Sequence, residues 1–482
     1  MLETLRERLR GRVFAMLHAF VADKPALRTA LRAMWRTVRM RGWGVPRTRL
    51  DYARRTLNAA RPLHKQASSW ASATDQSVPI STAELMNLLS VCRGSVGVIV
   101  AVSHDDYALV FGGIQNVVAD EQRAFEEKGW RYLHVAPAAP LPLLGTYGTA
   151  DSYRLRLRLD GLLLGVVTFP VLTKCLLELR DQQARIEIVF HHLKGHVPEY
   201  LATWSSLVDI QPIFWIHDFF SVCPSFNLLR NGIKYCGGPP LNSPACIVCV
   251  FGDDRRDHSP RLKAFFDTIK PVVLAPSEVF LNLWLQQVRY FSGNAKVVPI
   301  AHLTMDTLQD PIVKKACRPL RVAHIGASIT PKGWDIFEEL TEKFAGDRRY
   351  KFYQIGADGV FSSKYTHVSV RVTPQKRGAM VEEIIRRRID IVICWSIWPE
   401  AFCFTVHEAL AAGAFVIAST SAGNIWPAVE AHAPGQGHSV KDEADLFQLF
   451  ETGEVQERFT RARRFRGILN SRRNTADFLL TE

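Results

Sequence analysis

The sequence IDIVICWSIWPEAFCFTVHEALAAGAFVIA, residues 389–418, decides the fold. The apolar run Ile389–Cys394 predicts a buried strand, and Pro399 disfavours helix immediately before it. A helix is expected from about Phe404 to Ala412, ended by Gly413, and residues 414–418 predict a second buried strand. Because a strand, a helix and a second strand in succession are typical of a parallel sheet, we expect an α/β fold.

Two carboxylates, Glu400 in the loop and Glu408 on the helix, belong to this unit. Ligands of parallel sheets bind beyond the carboxyl ends of the strands and at helix N-termini. Carboxylates accept hydrogen bonds from sugar hydroxyls, and free helix amides suit phosphate between them. The pattern therefore favours a nucleotide sugar as the ligand. The alternative is an acidic loop followed by an ordinary surface glutamate.

The same stretch resembles the E-x7-E element of retaining glycosyltransferases of family 4, which have the two-domain GT-B fold. The resemblance extends over roughly residues 93–470 and is strongest over 320–430. It implies two Rossmann-like domains facing across a cleft, and transfer of a sugar from a nucleotide sugar without a catalytic metal. By this resemblance Glu400 would bind the donor sugar and Glu408 the ribose. Where the family often has glycine, this chain has Cys403 and Phe404.

Other residues of the second half match the implied donor site. Lys332 matches the family lysine that neutralises the diphosphate leaving group, whereas Ala327 stands where the family has arginine. Arg321 and Arg371 are candidates for the second cation. Without the resemblance, Lys332 is equally well explained as a solvent lysine at a helix start. The remaining predicted donor-binding residues are Gly112, Gly113, Gly326, Phe402, Phe404, Thr405, Gly423 and Asn424.

The first half carries glycines and polar side chains after apolar strands. Val96–Val102 predicts a strand, and the pair Gly112 and Gly113 opens the helix after it, like a glycine pair that the family places near the donor diphosphate. His191 and His192 follow the strand Ile186–Phe190. Further along, Asp-Gly between two apolar runs predicts an antiparallel hairpin over 153–169.

His217 and Asp218 follow the strand Phe214–Ile216. The resemblance gives His217 a catalytic role at the acceptor side, and we expect Asp218, His191 and His192 to contact the acceptor. Alternatively, each histidine caps a strand or packs into the core.

Four cysteines occur together in a loop over 219–257 that is rich in proline and glycine. Their number and the final Cys-Ile-Val-Cys spacing suit a closed, structural zinc site. The alternatives are reduced core cysteines or disulfides. The predicted metal ligands are Cys223, Cys236, Cys246 and Cys249.

The positive charge of the chain lies at one end. The net charge of the 482 residues is +13, and residues 1–65 hold 16 Lys or Arg against 4 Asp or Glu. Apolar residues recur there every three or four positions, as in Leu2, Leu5 and Leu9, which predicts amphipathic helices. These helices either lie on an anionic membrane surface or pack on the main body or a partner. Aromatic residues do not interleave with the charges, so nucleic acid is not expected.

The sequence predicts three parts: a basic helical extension and linker (1–90), an acceptor domain (91–305) and a nucleotide-sugar domain (306–482). Residues 441–482 are expected to form two or three polar helices, and the resemblance implies that the last one crosses back to the first domain. Nine cysteines and the lack of a clear signal peptide or spanning segment indicate a cytoplasmic protein, peripheral on the inner membrane face if the extension binds lipid. The donor could be linked to UDP, GDP or dTDP, and the expected acceptor is a glycan or lipid-linked molecule of the cell envelope. The alternatives are a GT-B sugar epimerase and a non-catalytic glycan- or membrane-binding scaffold.

Overall fold

The computed structural model describes residues 74–182, 184–208, 211–307, 318–357, 359, 362–471 and 474–480. The amphipathic helices predicted within residues 1–65 lie outside these residues. The helices are α1 (Thr82–Leu88), α2 (Gly113–Glu126), α3 (Phe169–Asp181), α4 (Pro198–Ala202), α5 (Pro244–Ile247), α6 (Gly252–Ile269), α7 (Glu278–Gln287), α8 (Trp334–Lys343), α9 (Ala379–Arg386), α10 (Phe404–Ala411), α11 (Ile425–His432), α12 (Glu443–Glu451), α13 (Glu454–Arg461) and α14 (Asn474–Leu480).

The strands form two large sheets and two short ribbons. They are β1 (Val98–Val102), β2 (Arg131–Pro137), β3 (Arg154–Leu159), β4 (Leu162–Thr168), β5 (Ile186–Phe190), β6 (Ile213–Trp215), β7 (Leu229–Arg230), β8 (Lys234–Tyr235), β9 (Val272–Ala275), β10 (Ala295–Val297), β11 (Ala301–Met305), β12 (Leu320–Ile325), β13 (Tyr350–Gly356), β14 (Tyr365–Ser369), β15 (Ile391–Cys394), β16 (Phe415–Ser419), β17 (Gly437–Val440) and β18 (Gly467–Ser471).

The first sheet has the strand order β10-β9-β6-β5-β1-β2-β3-β4. The six strands from β10 to β2 in this order are parallel, and the strands β1 and β5 are buried along their whole length. The predicted hairpin is confirmed: β3 and β4 extend the sheet in antiparallel fashion beside β2. In β3 the leucines are buried and the arginines half-buried, as a strand with one core face requires.

The second sheet has the strand order β14-β13-β12-β15-β16-β17, and all its pairings are parallel. This is the doubly wound order 3-2-1-4-5-6, whose topological switch point lies between the first and fourth strands, here β12 and β15. The α/β prediction with two Rossmann-like sheets is confirmed. The stretch that decides the fold supplies β15, α10 and β16, with bounds within two residues of the prediction.

The end of the chain differs from its prediction. Residues 441–482 were expected to form only helices, but β18 lies between α13 and α14 and pairs antiparallel with β11. The partner strand lies far away in sequence, so local pattern gives no sign of this pairing. Beyond β18, α14 packs on α2 of the first sheet. None of the helices in the described ranges has the length and hydrophobicity needed to span a bilayer.

Residues of the two halves pack directly against each other. Trp398 and Ala401, from the loop after β15, belong to the main hydrophobic core of the first half. Ser277, which caps α7, donates a 2.6 Å hydrogen bond to the carbonyl of Ala401. The loop that carries Glu400 is therefore held against the first half.

Candidate functional site

Lys332 and Glu400 meet at the switch point of the second sheet. Lys332 lies in the loop after β12 and Glu400 in the loop after β15, so the sheet topology brings them together. The Lys332 ammonium donates to both oxygens of the Glu400 carboxylate, at 2.7 and 2.8 Å. Since an ammonium has three N–H donors, one remains for a further acceptor.

The surroundings of this ion pair leave one side open. The Glu400 side chain is 6% exposed and the Lys332 side chain 41% exposed. Ser396 Oγ donates to Glu400 Oε1 at 3.0 Å, and the Trp398 ring lies 5.7 Å from the ammonium. Burial lowers the pKa of Lys332, but the Glu400 carboxylate outweighs this and the pKa is raised above its ordinary value. The lysine is therefore a fixed positive charge at the mouth of the sheet.

Glu408 is a buried carboxylate on α10 that has no hydrogen-bond partner among the described residues. Its residue is only 6% exposed. Burial raises the pKa of Glu408 to about 7, and Arg377 opposes this shift only in part. The Glu408 oxygens are not among the fully buried polar atoms that lack a partner, so they keep exposed surface at which hydroxyl groups of a ligand can donate.

Backbone contacts connect the Glu400 loop to the small-residue loop after β16. Asn424 N–H donates to the carbonyl of Glu400 at 3.0 Å, and Asn424 Nδ2 donates to the carbonyl of Phe402 at 3.2 Å. Gly423 has φ +67°, and a Cβ there would lie 2.5 Å from the Glu400 nitrogen. Gly423 and Asn424 thus position the acidic loop through the backbone.

The start of α10 lies close to the end of β12. A Cβ on Gly326, whose φ is +94°, would lie 3.2 Å from Cγ2 of Thr405. Cys403, at the N-cap of α10, has φ +68°, a conformation that costs a non-glycine residue about 1–2 kcal/mol. Glycine would avoid this cost, which matches the glycine that the resembling family often has near this position.

The two phenylalanines predicted to bind the donor pack between the halves of the molecule. Phe402 is buried in a cluster that includes residues of β1 and α2, and its ring stacks on His407 at 4.1 Å. Phe404 packs against the same cluster, 5.1 Å from the Phe402 ring. Both rings therefore pack where the two halves of the molecule meet.

Of the glycine pair in the first half, Gly113 borders open space, whereas a Cβ on Gly112 would lie 2.5 Å from Gln115 Oε1. Gly112 caps α2 in extended conformation, and a Cβ on Gly113 would meet no atom within 4 Å. The guanidinium of Arg371 lies 5.9 Å from the ring of the adjacent Phe111. Arg321, by contrast, lies at the amino end of β12 and donates to the carbonyl of Arg387, so it is on the wrong side of the sheet to be the second cation.

The polar residues predicted at the acceptor side form two hydrogen-bonded pairs. His191 Nδ1 lies 3.1 Å from His217 Nε2. His192 Nε2 lies 3.2 Å from Asp218 Oδ2, and His192 Nδ1 accepts from the backbone of Lys194. Burial lowers the pKa of His192 to about 4 despite the neighbouring Asp218. His192 is therefore neutral, with its proton on Nε2 and directed at the carboxylate.

Arg377 is a site residue that sequence reasoning missed. Its guanidinium donates to the carbonyl of Asn116 at 2.6 Å and pairs with Asp120 at 2.8 Å, both on α2. It also provides the positive charge that acts on Glu408. Arg377 precedes α9 in an ordinary polar turn, so the sequence carries no signal for this contact between the halves.

The four predicted zinc ligands line one small cavity of about 20 Å³. All four are free thiols, and Arg255 Nη1 donates to Cys246 Sγ at 3.0 Å. Burial raises the pKa of Cys223 to about 12. Across the described ranges, no group of three or more Cys, His, Asp or Glu is arranged to hold a metal ion. The donors are gathered in one place, but the structure does not show a metal centre.

No protein-family model matches the chain, and no curated protein matches it. Among solved structures, it is similar to HepE of Anabaena in complex with UDP and glucose, with 13% identity, TM-score 0.43, and coverage of 76% of this chain and 91% of that one. It is similar to WaaG, a glycosyltransferase involved in lipopolysaccharide biosynthesis, with 10% identity, TM-score 0.44, and coverage of 75% and 92%. It is also similar to the catalytic domain of starch synthase IV from Arabidopsis thaliana bound to ADP and acarbose, with 13% identity, TM-score 0.46, and coverage of 76% of this chain and 94% of that one. Likeness at these identities and TM-scores assigns no activity to the chain.

Proposed function

We propose that this protein is a glycosyltransferase that moves a sugar from a nucleotide sugar to a glycan or lipid-linked acceptor, with retention at the anomeric carbon. The observation that carries the proposal is the switch-point arrangement of Lys332, Glu400 and Glu408. One loop supplies a fixed cation, and one βαβ unit supplies two carboxylates near a helix N-terminus. A nucleotide sugar has hydroxyls at both ends and a diphosphate between them, which is the chemistry these groups suit.

Each residue then has a defined task in the proposed reaction. Lys332 keeps two N–H groups on Glu400 and offers the third to a diphosphate oxygen, where negative charge grows as the sugar departs. Glu400 orients the donor sugar, and Glu408 accepts hydrogen bonds from the ribose hydroxyls. The amides at the start of α10 add a positive field for the phosphates. Arg371, beside the glycine pair, is the better placed of the two arginines considered for a second cation.

The nucleotide sugar is tested by thermal shift with a panel of UDP-, GDP-, dTDP- and ADP-linked sugars. We expect one base to raise the unfolding midpoint, and the matching diphosphate alone to do so by a smaller amount, because a ligand that binds only the folded state stabilises it. Product analysis follows with the donor so identified. Donor turnover that requires an added glycan supports transfer, whereas epimerised or hydrolysed sugar without any acceptor contradicts it.

We further propose that the protein acts in the cytoplasm, on the inner face of a membrane, in assembling an envelope polysaccharide. Support comes only from the sequence of residues 1–65, with 16 basic and 4 acidic side chains. Liposome flotation compares the full chain with a chain lacking these residues. Undiminished binding by the shortened chain to anionic vesicles contradicts the proposed membrane contact.

We also retain structural zinc as a proposal for the loop over 219–257. Support comes from the convergence of four reduced thiols on one cavity, and from Arg255, whose Nη1 donates to Cys246 Sγ at 3.0 Å. Binding would require the thiols to move closer together than they are. Elemental analysis of the purified protein is expected to find about one zinc per chain, falling when Cys246 and Cys249 are replaced by serine. Protein without bound metal ends the proposal.

A further inference from the structure

A chain of buried hydrogen bonds in the first half ends at His217. It starts at Glu121 on α2, a carboxylate with no exposed surface. His191 Nε2 lies 3.0 Å from Glu121 Oε1, and on the other edge of the same ring His191 Nδ1 lies 3.1 Å from His217 Nε2. The sequence predicted His217 as a catalytic residue at the acceptor side and His191 as an acceptor contact, but not their connection to Glu121.

The direction of these hydrogen bonds follows from the partners of Glu121. Tyr132 donates its hydroxyl to Glu121 Oε1 at 2.8 Å. Trp215 Nε1, which can only donate, gives its proton to Thr475 Oγ1 at 2.8 Å, so the Thr475 hydroxyl directs its own proton to Glu121 Oε2. The Glu121 carboxylate accepts hydrogen bonds from Tyr132 and Thr475, and it accepts a third from His191 Nε2. The proton of His191 therefore lies on Nε2.

The geometry of the two rings shows how His191 and His217 face each other. Their centroids are 5.4 Å apart and their planes differ by 11°. Since the facing nitrogens are only 3.1 Å apart, they lie between the centroids, and the rings meet edge to edge in a common plane. A His191 ring whose single proton lies on Nε2 accepts at Nδ1 from His217 Nε2, and this leaves the lone pair of His217 on Nδ1.

The Nδ1 atom of His217 is available to a ligand. It has no hydrogen-bond partner in the described part of the chain, and it is not among the buried polar atoms without a partner. The Trp215 ring lies parallel to the His217 ring, within 7° and at 5.4 Å, and restricts its rotation. Burial lowers the pKa of His217 well below its usual value, and the neighbouring His191 lowers it further. A neutral ring fixed in one tautomer results.

We propose that Glu121 and His191 are positioning residues that hold His217 with its Nδ1 lone pair directed at substrate, so that His217 accepts a hydrogen bond from a sugar hydroxyl. A lone pair repels the oxygens of phosphate and carboxylate, so the group bound here is a neutral hydroxyl of the donor sugar or of a glycan acceptor. This inference rests on the proposed glycosyltransferase function. Thr475 makes α14, the last helix, part of the same assembly.

The tautomer is measured directly by long-range proton–nitrogen NMR of the full chain labelled with ¹⁵N in its histidine rings. The His217 signal is assigned by its loss in His217→Gln. We expect the Nε2–H tautomer in the wild-type chain and a mixture of tautomers in His191→Phe, which keeps a ring but removes both nitrogens. The control is His258→Phe, a buried histidine of the same half whose Nε2 contacts the carbonyl of Phe220; it is expected to leave the His217 signal unchanged.

Kinetics test whether His191 acts on the reaction through His217. His191→Phe is expected to lower kcat roughly 10- to 100-fold, the scale of a small misplacement of a catalytic group, and to have no further effect in a His217→Ala background. Three results would each overturn the inference. They are effects on kcat of His191→Phe and His217→Ala that multiply, an Nδ1–H tautomer of His217 in the wild-type chain, and a His217 tautomer that His191→Phe leaves unchanged. If the chain binds none of the nucleotide sugars while its tautomer is as expected, the proposed function fails and the positioning of His217 stands.

Discussion

Lys332→Met is expected to lower sugar transfer roughly 10²- to 10³-fold, the usual cost of removing one preorganised group that stabilises transition-state charge. The effect is expected in kcat more than in KM, because the ammonium meets most negative charge after the sugar–phosphate bond begins to break. The same change leaves the Glu400 carboxylate, whose side chain is 6% exposed, with Ser396 as its side-chain donor among the described residues. We therefore also expect a loss of about 1–3 kcal/mol in the free energy of unfolding.

Two further variants separate these two effects. Adding Glu400→Gln to Lys332→Met removes the uncompensated charge, so stability is expected to recover while transfer stays low. Lys343→Met is the matched control, since Lys343 forms a 2.8 Å ion pair with Glu451 on the surface of the same half. It is expected to leave turnover unchanged. Steady-state kinetics and urea unfolding measure both quantities, and full activity of Lys332→Met contradicts the proposed mechanism.

Glu408→Gln is expected to weaken binding of the nucleotide diphosphate roughly 10- to 100-fold, the scale of losing a charge-assisted hydrogen bond to the ribose. Because burial raises the pKa of Glu408 to about 7, the wild-type chain binds the nucleotide best above that pH. Its affinity is expected to fall as the pH is lowered through 7, where the carboxylate takes up a proton. Calorimetric titration at pH 6 and pH 8 checks this, and Glu430→Gln, on an exposed glutamate of α11, serves as control.

The stability of the protein without ligand is expected to change with pH in the opposite sense. The folded pKa of Glu408 is about 7 and the ordinary value is 4.5, so between these values the folded state binds more protons than the unfolded state. Stability from this group is therefore present below pH 4.5 and lost as the pH rises to about 7. Glu408→Gln is expected to be more stable than wild type at pH 8, by roughly 3 kcal/mol at most, and equal to it near pH 4.5. Equal stability at pH 8 would show that Glu408 is not buried as described.

The donor side of the site could be predicted from sequence because its signals are local. The strand, loop and helix around Glu400 and Glu408 lie within 30 residues, and the topology of a parallel sheet then places Lys332 opposite them. The limits of β15, α10 and β16 follow from Pro399, Gly413 and two apolar runs. These features need no knowledge of distant contacts.

The other half of the site depends on contacts between distant parts of the chain. His191 and Glu121 are 70 positions apart, and Thr475 reaches Glu121 across 354 positions. A weak signal was present: Glu121 falls on the apolar side of α2, where Val117, Val118 and Phe125 are also buried. A charged residue at a core position of a helix requires a buried partner, but the sequence does not say which one.

The most direct test of the account is hydrogen–deuterium exchange of the full chain with and without the nucleotide sugar that the panel identifies. Saturating ligand is expected to slow exchange at residues 326–334, 400–411 and 419–424, the three segments around Lys332, Glu400 and Glu408. Glu408→Gln is expected to weaken this protection at the same ligand concentration. Protection confined to other segments, or none in these three with a ligand that does bind, would contradict the central claim that an activated sugar is held by its diphosphate at the switch point of the second sheet.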